Sequence, residues 1–477
     1  MDRSAILKLT ILAVGTSVLH EHFGNIALVL GALGLFIWRK EALSLGSASL
    51  KDDSGAIGAA LAAALLAAFC CITPPGAGDD VLRDIASSAY QFDYHRMYPN
   101  ADIQQYNAYL GFDHLLAILV RIAGPAGALH LVQAAGMLAF LALFVLLGRQ
   151  STSPLRAEHY ALMGLALATP LSSRIFLARP EILLTVWGLY GALATTRWRL
   201  ALWVIAGAAL TTGYWLAALY FPFVLLTTAR FRTKVVLGAL LLGWNVLFWH
   251  AASHGTYLES LSLLSSWPRH RVMEILETGN CLQLLLNPYF LALTLLAGMS
   301  CSSRRLGRQD FSILLLIGYF LLSGMVRYVA VWVGLLFMLV LPWLETRRVE
   351  NLWLRAGLLF FPFYCASAAF GNAIPMSHLP SFTYPKNAYV LTGMDISTFA
   401  TPFFNQGTVS VAPSMELGAN TTAVQTLAAE LSKGRLDCTK LRAQPFTHVV
   451  ENRLTSMPSC LKLMDIKGGW REWEVVR

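Results

Sequence analysis

Residues 127–147 read GALHLVQAAGMLAFLALFVLL, an unbroken apolar run with no Asp, Glu, Lys or Arg. A bilayer hydrocarbon core of about 30 Å is crossed by about 20 apolar residues in a helix. Residues 55–73 and 311–324 have the same character. Working outward to the whole chain, 56% of its 477 residues are hydrophobic and 13% are charged. Soluble domains carry about 25% charged residues, so this chain lacks the polar surface to cover a globule in water. A soluble all-helical protein is therefore excluded as a reading.

Apolar runs predict spans at 5–19, 25–38, 55–73, 127–147, 158–172, 182–196, 198–212, 213–228, 235–249, 284–299, 310–325, 328–343 and 353–371. The first is read as a retained helix, since no small-x-small cleavage site follows it. The basic residues test this threading. With the N-terminus in the cytosol, the cytosolic loops hold Arg39, Lys40 and Lys51; Arg149 and Arg156; Arg197 and Arg199; Arg230, Arg232 and Lys234; Arg304, Arg305 and Arg308; and Arg347 and Arg348. That is the bias of the positive-inside rule. The net charge of +9 is thus distributed as helix-orienting clusters, and nucleic acid is not an expected partner.

The predicted fold is mainly α. It is a polytopic membrane helix bundle of about 11–13 transmembrane helices with a small C-terminal extracytoplasmic α/β or α+β domain. The bundle is expected over 1–371, with outer loops 74–126 and 250–283, and the domain over 372–477. Within the tail, 423–431 reads as a helix and 447–450 and 460–464 as strands. Gly468-Gly469 before 470–476 reads as a hairpin return. The seven cysteines form no CxxC pair, so a zinc or haem motif is absent. Cys438 and Cys460 share the hydrophilic tail and are free to bridge outside the cytosol.

The residues that carry chemistry gather in the outer loops. Asp79 and Asp80 stand side by side just beyond the third span, within Gly78-Asp79-Asp80-Val81-Leu82-Arg83. A carboxylate there suits proton abstraction from an acceptor at the membrane surface. Asp93-Tyr94-His95-Arg96-Met97-Tyr98 follows, and then Asp113-His114. Aromatic rings and carboxylates alternating in this way suit a sugar, though residues 107–123 also read as an interfacial amphipathic helix. Arg174, Arg179 and Glu181 fall at the outer mouth between two spans, and Arg327 between two others. Arg269, His270 and Arg271 form a further basic cluster in the second outer loop. Cations on that side run against the orientation rule, and an anionic ligand would offset the cost. A guanidinium grips phosphate bidentately. The loop histidines match no metal motif. No cofactor is expected, and a divalent metal is conceivable but unsupported.

A multispan bundle, acids in the first large outer loop, outer arginines and a C-terminal outer domain together resemble the GT-C glycosyltransferases. The residues carrying the likeness are 78–83, 93–98 and Arg179-Pro180-Glu181. The resemblance implies a sugar donor carried on polyprenyl phosphate and transfer on the non-cytoplasmic face, in a bacterial inner membrane by default. The acceptor would be a glycan, a lipid or a protein. It also implies that Asp79 or Asp80 is the base, and that Arg174, Arg179, Arg271 and Arg327 hold the lipid phosphate. The WWDYG-type motif of oligosaccharyltransferases is missing, which argues against transfer to asparagine. The alternatives are a secondary transporter or lipid flippase, and an envelope assembly protein.

Overall fold

The computed structural model describes residues 8, 11, 12, 15, 25–40, 79–100, 109–151, 155–258, 281–322, 328–346, 349–351, 354, 355, 358, 361, 378–413, 422–455 and 457–476. The spans expected at 5–19, 55–73 and 353–371 lie wholly or largely outside these residues. So do Arg269, His270, Arg271 and Arg327, and so does the domain boundary expected at 371.

The described chain is mainly helical, with one small sheet. In chain order the helices of its first part are α1 (Asn25–Ile37), α2 (Asp79–Ser87), α3 (Tyr94–Met97), α4 (Leu110–Ser151), α5 (Ala157–Ala168), α6 (Leu171–Phe176), α7 (Pro180–Tyr190), α8 (Arg197–Leu210), α9 (Phe231–Ala252), α10 (Pro288–Ser303), α11 (Arg308–Leu322) and α12 (Val329–Glu345). Among the described residues, α4 and α9 are long and apolar enough to cross a membrane. The expectation of about a dozen such spans is met only to that extent. The other apolar helices are shorter, and the run at 213–228 becomes a 3-10 helix, Ala217–Leu226, interrupted by Pro222.

Helix α4 joins two expected elements, the interfacial helix and the 127–147 run. They meet at Gly124, whose φ of 72° is left-handed, directly before Pro125. Proline has no N–H for the helical ladder and its ring clashes with the preceding turn. Glycine alone takes the required conformation without a Cβ penalty. The result is a bent helix with two arms.

Helix α12 forms the centre of the larger core and is buried from Val329 through Leu341. Phe337 stacks on Phe144 of α4 with ring centroids 4.2 Å apart. Ser300 of α10 donates to the Leu339 carbonyl at 2.6 Å. Between α7 and α8, Trp187 and Trp203 stack at 4.4 Å. Each indole N–H donates to the other's backbone carbonyl, at 2.7 and 2.8 Å. A Cβ on Gly207 would collide with Trp187, so a small residue is what lets these helices approach. The outward faces are apolar: Leu247 is 69% and Leu322 91% exposed.

The tail contains β1 (Tyr389–Thr392), α13 (Ser397–Asn405), β2 (Ser410–Ala412), α14 (Thr422–Ser432), α15 (Cys438–Arg442), β3 (His448–Glu451), β4 (Leu461–Lys467) and β5 (Trp470–Val475). The sheet order is β2-β1-β3-β5-β4. Strand β1 is parallel to both β2 and β3, whereas β3, β5 and β4 are antiparallel. The β4–β5 hairpin closes on Gly468-Gly469, both left-handed, where residues with a Cβ would be strained. Helices α14 and α15 cover one sheet face, packing Leu427, Leu431 and Leu441 on Leu391, Val449 and Trp473. Cys438 and Cys460 are bridged as the sequence led us to expect, with Cα atoms 5.6 Å apart. Strands β1 and β2 and helix α13 were not anticipated from the sequence.

Candidate functional site

The acid pair does not simply trail a span. Asp79 and Asp80 are the first two residues of their own helix, α2. Their side chains lie outside the described residues. What holds the helix is clear from its apolar positions. Val81, Leu82 and Ile85 are fully buried and pack in one cluster with Phe112 and Leu116 from the first arm of α4 and Leu129 and Val132 from the second. The same cluster takes Phe399, Ala400 and Phe403 of α13 from the tail. Helix α2 therefore sits in the bend of α4 with α13 packed against it.

The segment after α2 is fixed to the second face of the sheet. Tyr90, Met97 and Tyr98 pack with Val390, Val411, Val450 and Trp470. The Tyr90 hydroxyl donates to Val409 O at 2.6 Å, and Tyr98 to Thr398 O at 3.2 Å. Ser410 Oγ donates to Arg96 O at 3.0 Å. Gly407 comes so close that a Cβ would stand 2.5 Å from Ala89 O, and its own φ is left-handed at 80°. Burial pushes the Tyr90 hydroxyl up to about 12, offset in part by hydrogen bonding to the backbone of Val409 and Gly407. It therefore remains a donor at any physiological pH.

A buried polar network lies beside α2. Arg83 and Asp84 are each 1% exposed. Arg83 Nε and Nη2 both donate to Asp84 Oδ1, at 2.9 and 2.7 Å. The guanidinium carbon also stands 5.6 Å from the Tyr94 ring centre and 5.3 Å from that of Tyr109, within cation–π range. Tyr94 donates to Asp113 Oδ2 at 3.1 Å, and Asp113 is fully buried in the first turn of α4. Burial, reinforced by the Asp113 charge and opposed by that of Arg83, pushes the Tyr94 hydroxyl well above the usual phenol range. Arg83, Tyr94 and Asp113, read from the sequence as ligand contacts, are thus brought together as one internal network.

The remaining residues separate. Asp93 caps α3, its carboxylate accepting from His95 N at 2.9 Å. His95 and Arg96 are exposed, and Arg96 donates to Gln91 at 2.8 Å. Tyr98 is buried against the tail. His114 stacks on Phe92 with ring centroids 4.4 Å apart. Arg179 occupies the N-cap position of α7 and is buried, as is Glu181 in the first turn. Its chain neighbour Ala178 is left-handed (φ 49°) and belongs to the same apolar cluster as α2. Arg179 is thereby adjacent to the bend of α4. Arg174, on α6, is half-buried.

Sequence reasoning missed Asp84, Tyr109 and the α13 contribution. Tyr109 stacks on Tyr214 at 5.7 Å, which the aromatic density of 106–114 hinted at. Nothing local could point to α13. Among the described residues no group of three or more His, Cys, Asp or Glu side chains is arranged to hold a metal ion. No protein-family model and no curated protein matches the chain.

Proposed function

We propose that the chain is a GT-C-type glycosyltransferase: a polytopic membrane bundle that moves a sugar from a polyprenyl-phosphate donor to a glycan, lipid or protein acceptor on the extracytoplasmic face. The observation that carries this reading is the clamping of α2. A helix that starts at Asp79-Asp80 is seated in the bend of a membrane-length helix on one side and under α13 on the other. That is where a lipid-borne donor and an acceptor would meet. The positive end of the helix dipole favours the ionised carboxylate at its first turn.

The chemistry follows from these positions. An acceptor hydroxyl is a poor nucleophile until a base takes its proton. Asp79 or Asp80 fills that role, and attack on the anomeric carbon expels polyprenyl phosphate with inversion. The leaving phosphate gains charge in the transition state, which positioned cations stabilise. Arg179 and Arg174 suit this task, with Arg271 and Arg327 as further donors. The internal network of Arg83, Asp84, Tyr94 and Asp113 positions α2. The apolar outward faces of α9 and α11 support a lipid environment, because water does not tolerate so much contiguous apolar surface.

The test is transfer of a radiolabelled sugar from polyprenyl phosphate in proteoliposomes. Asp79→Asn and Asp80→Asn keep side-chain size but cannot accept a proton. One of them is expected to bind donor normally and to lose about 10²–10⁴-fold in turnover. Near-normal turnover in both variants would remove the acid pair from the mechanism.

A further inference from the structure

Helices α8 and α9 lie side by side and run in the same direction. Trp244 Nε1 of α9 donates to Ala208 O of α8 at 2.8 Å, and Trp249 Nε1 donates to Thr211 O, just past the end of α8, at 2.9 Å. Their starts meet at the opposite end, where Thr228 Oγ1 donates to Ala194 O at 3.3 Å. The far ends lie toward α2. A Cβ on Gly111 of α4 would collide with Thr212, and the next residue, Phe112, packs on α2. The 14 residues of α8 rise roughly 21 Å, so the two starts are well separated from the acid pair.

The starts carry one pattern. Arg197-Trp198-Arg199 opens α8, and Arg230-Phe231-Arg232 opens α9. All six residues are exposed, Trp198 by 70% and Phe231 by 64%. Between Glu181 and Glu259 the sequence has no Asp or Glu. Among the described residues none of the four guanidiniums has a hydrogen-bond or ion-pair partner. Each ring also begins an exposed apolar stripe. Leu202 and Ile205 follow Trp198 one and two turns along α8, and Val235 follows Phe231 one turn along α9.

A solvated helix end accounts for the arginines but not for two large rings left outside among them. A free phosphate or a nucleic acid would satisfy the charge and leave the stripes uncovered. A lipid of negative charge satisfies both. We propose that the paired starts of α8 and α9 bind an anionic glycerophospholipid, its phosphodiester held by guanidiniums from both helices, its glycerol against Trp198 and Phe231, and its acyl chains along the two stripes. A guanidinium grips phosphate bidentately, its hydrocarbon stem lies along apolar surface while the charge reaches outward, and an indole settles at headgroup level. The proposal rests on the membrane part of the reading above and not on its enzymology.

The experiment is lipid binding by the purified full chain in detergent, followed by native mass spectrometry. Phosphatidylglycerol and phosphatidylcholine of identical acyl composition are compared. A basic side chain beside an anionic headgroup is worth about fivefold in affinity. The glycerol lipid is therefore expected to bind at least about fivefold tighter than the choline lipid, whose own ammonium neutralises the phosphate. Replacing all four arginines by glutamine should abolish that preference, and replacing them by lysine should keep part of it. If the four-glutamine chain does not fold, Arg197→Gln/Arg199→Gln and Arg230→Gln/Arg232→Gln decide, each losing part of the preference. Trp198→Ala/Phe231→Ala should weaken both lipids and leave the preference. Equal binding of the two lipids by the unaltered protein would overturn the proposal, as would a preference that survives the glutamine variants. Undiminished binding by the Trp198→Ala/Phe231→Ala chain, or displacement by soluble glycerophosphoglycerol at equal concentration, would replace the lipid with bare charge attraction. Glycosyl transfer assayed on the same preparations separates the two readings. Lipid preference without transfer rejects the enzymology and keeps the lipid site, and transfer without lipid preference does the reverse.

Discussion

The helical region and the sheet region sort the same side chains in opposite directions. In the sheet region several charged residues pair at the surface, Lys462 with Glu474, Lys467 with Asp465, and Lys440 of α15 with Glu430 of α14, while Glu451 and Glu472 are buried. Leucine, valine and tryptophan fill the interior. In the helical region many leucines stand on the outside, and some charges at the helix ends are buried. Arg355 is fully buried 3.8 Å from Glu158, and Arg179 and Glu181 are buried at the start of α7. The contrast lies in where large apolar side chains go: outward on α9 and α11, inward beneath α14 and α15. Residues 79–100 lie between them and behave as both, with Arg83 buried and Arg96 exposed.

The largest effect should come from breaking the buried pair in that intermediate segment. Arg83→Ala takes away the guanidinium that donates twice to the buried Asp84 carboxylate, and breaking a buried pair from one side costs about 3–5 kcal/mol. Thermal unfolding of the purified variant should show it. The joint change Arg83→Met/Asp84→Leu should recover most of the loss, since apolar replacements of a buried pair are often neutral. A cost for Arg83→Ala as small as that of an exposed pair, about 0.2–1 kcal/mol, would place the segment with the water-facing half.

A somewhat smaller effect is confined to the sheet region. The Cys438–Cys460 bridge closes a loop of 22 residues in sequence separation. Removing it is expected to cost about 3 kcal/mol on the chain-entropy account. Replacing both cysteines by serine should lower the melting of the tail while the helical region, followed by its own tryptophan signal, keeps its transition. A single shared shift would mean the two regions unfold as one body.

The smallest effect sharpens the comparison by pH. Burial, then the neighbouring Asp465 charge, pushes the Glu472 carboxyl above its ordinary value, against the opposing pull of Lys467. The folded domain therefore holds this proton to a higher pH than the unfolded chain does. The associated stability is complete below the usual glutamate pKa of about 4.3 and is lost as pH rises through the raised folded value. Glu472→Gln cannot ionise. It should leave melting at pH 4 unchanged and raise it at pH 8. A rise of equal size at both values would assign the effect to packing.

Much of the helical layout was legible because apolar runs and basic clusters alternate. The observed helices at 288–303, 308–322 and 329–345 fall within a few residues of their expected spans. Strands β3, β4 and β5 were legible from their composition and from Gly468-Gly469. Strands β1 and β2 were not: they are four and three residues long and buried, so neither alternation nor length marks them. The acid pair was legible as a feature, but not as the start of a helix. The Arg83–Asp84 pair was illegible for a sharper reason. Adjacent residues on a helix do not face one another, yet the guanidinium that stands over Tyr94 and Tyr109 reaches back to Asp84.

The contacts that seat residues 79–100 also set a schedule. Tyr98 and Thr398 are 300 positions apart, and Tyr90 and Val409 are 319. At a translation rate of roughly 5–20 residues per second, the earlier partner waits roughly 15–60 s for the later one. During that interval the apolar side of α2 and the rings of Tyr90 and Tyr98 have no sheet or α13 to cover them. The chain thus completes its most remote closure after nearly everything else has been made, and any ribosome-bound precursor stopped before residue 397 carries an acid helix that is translated yet unassembled.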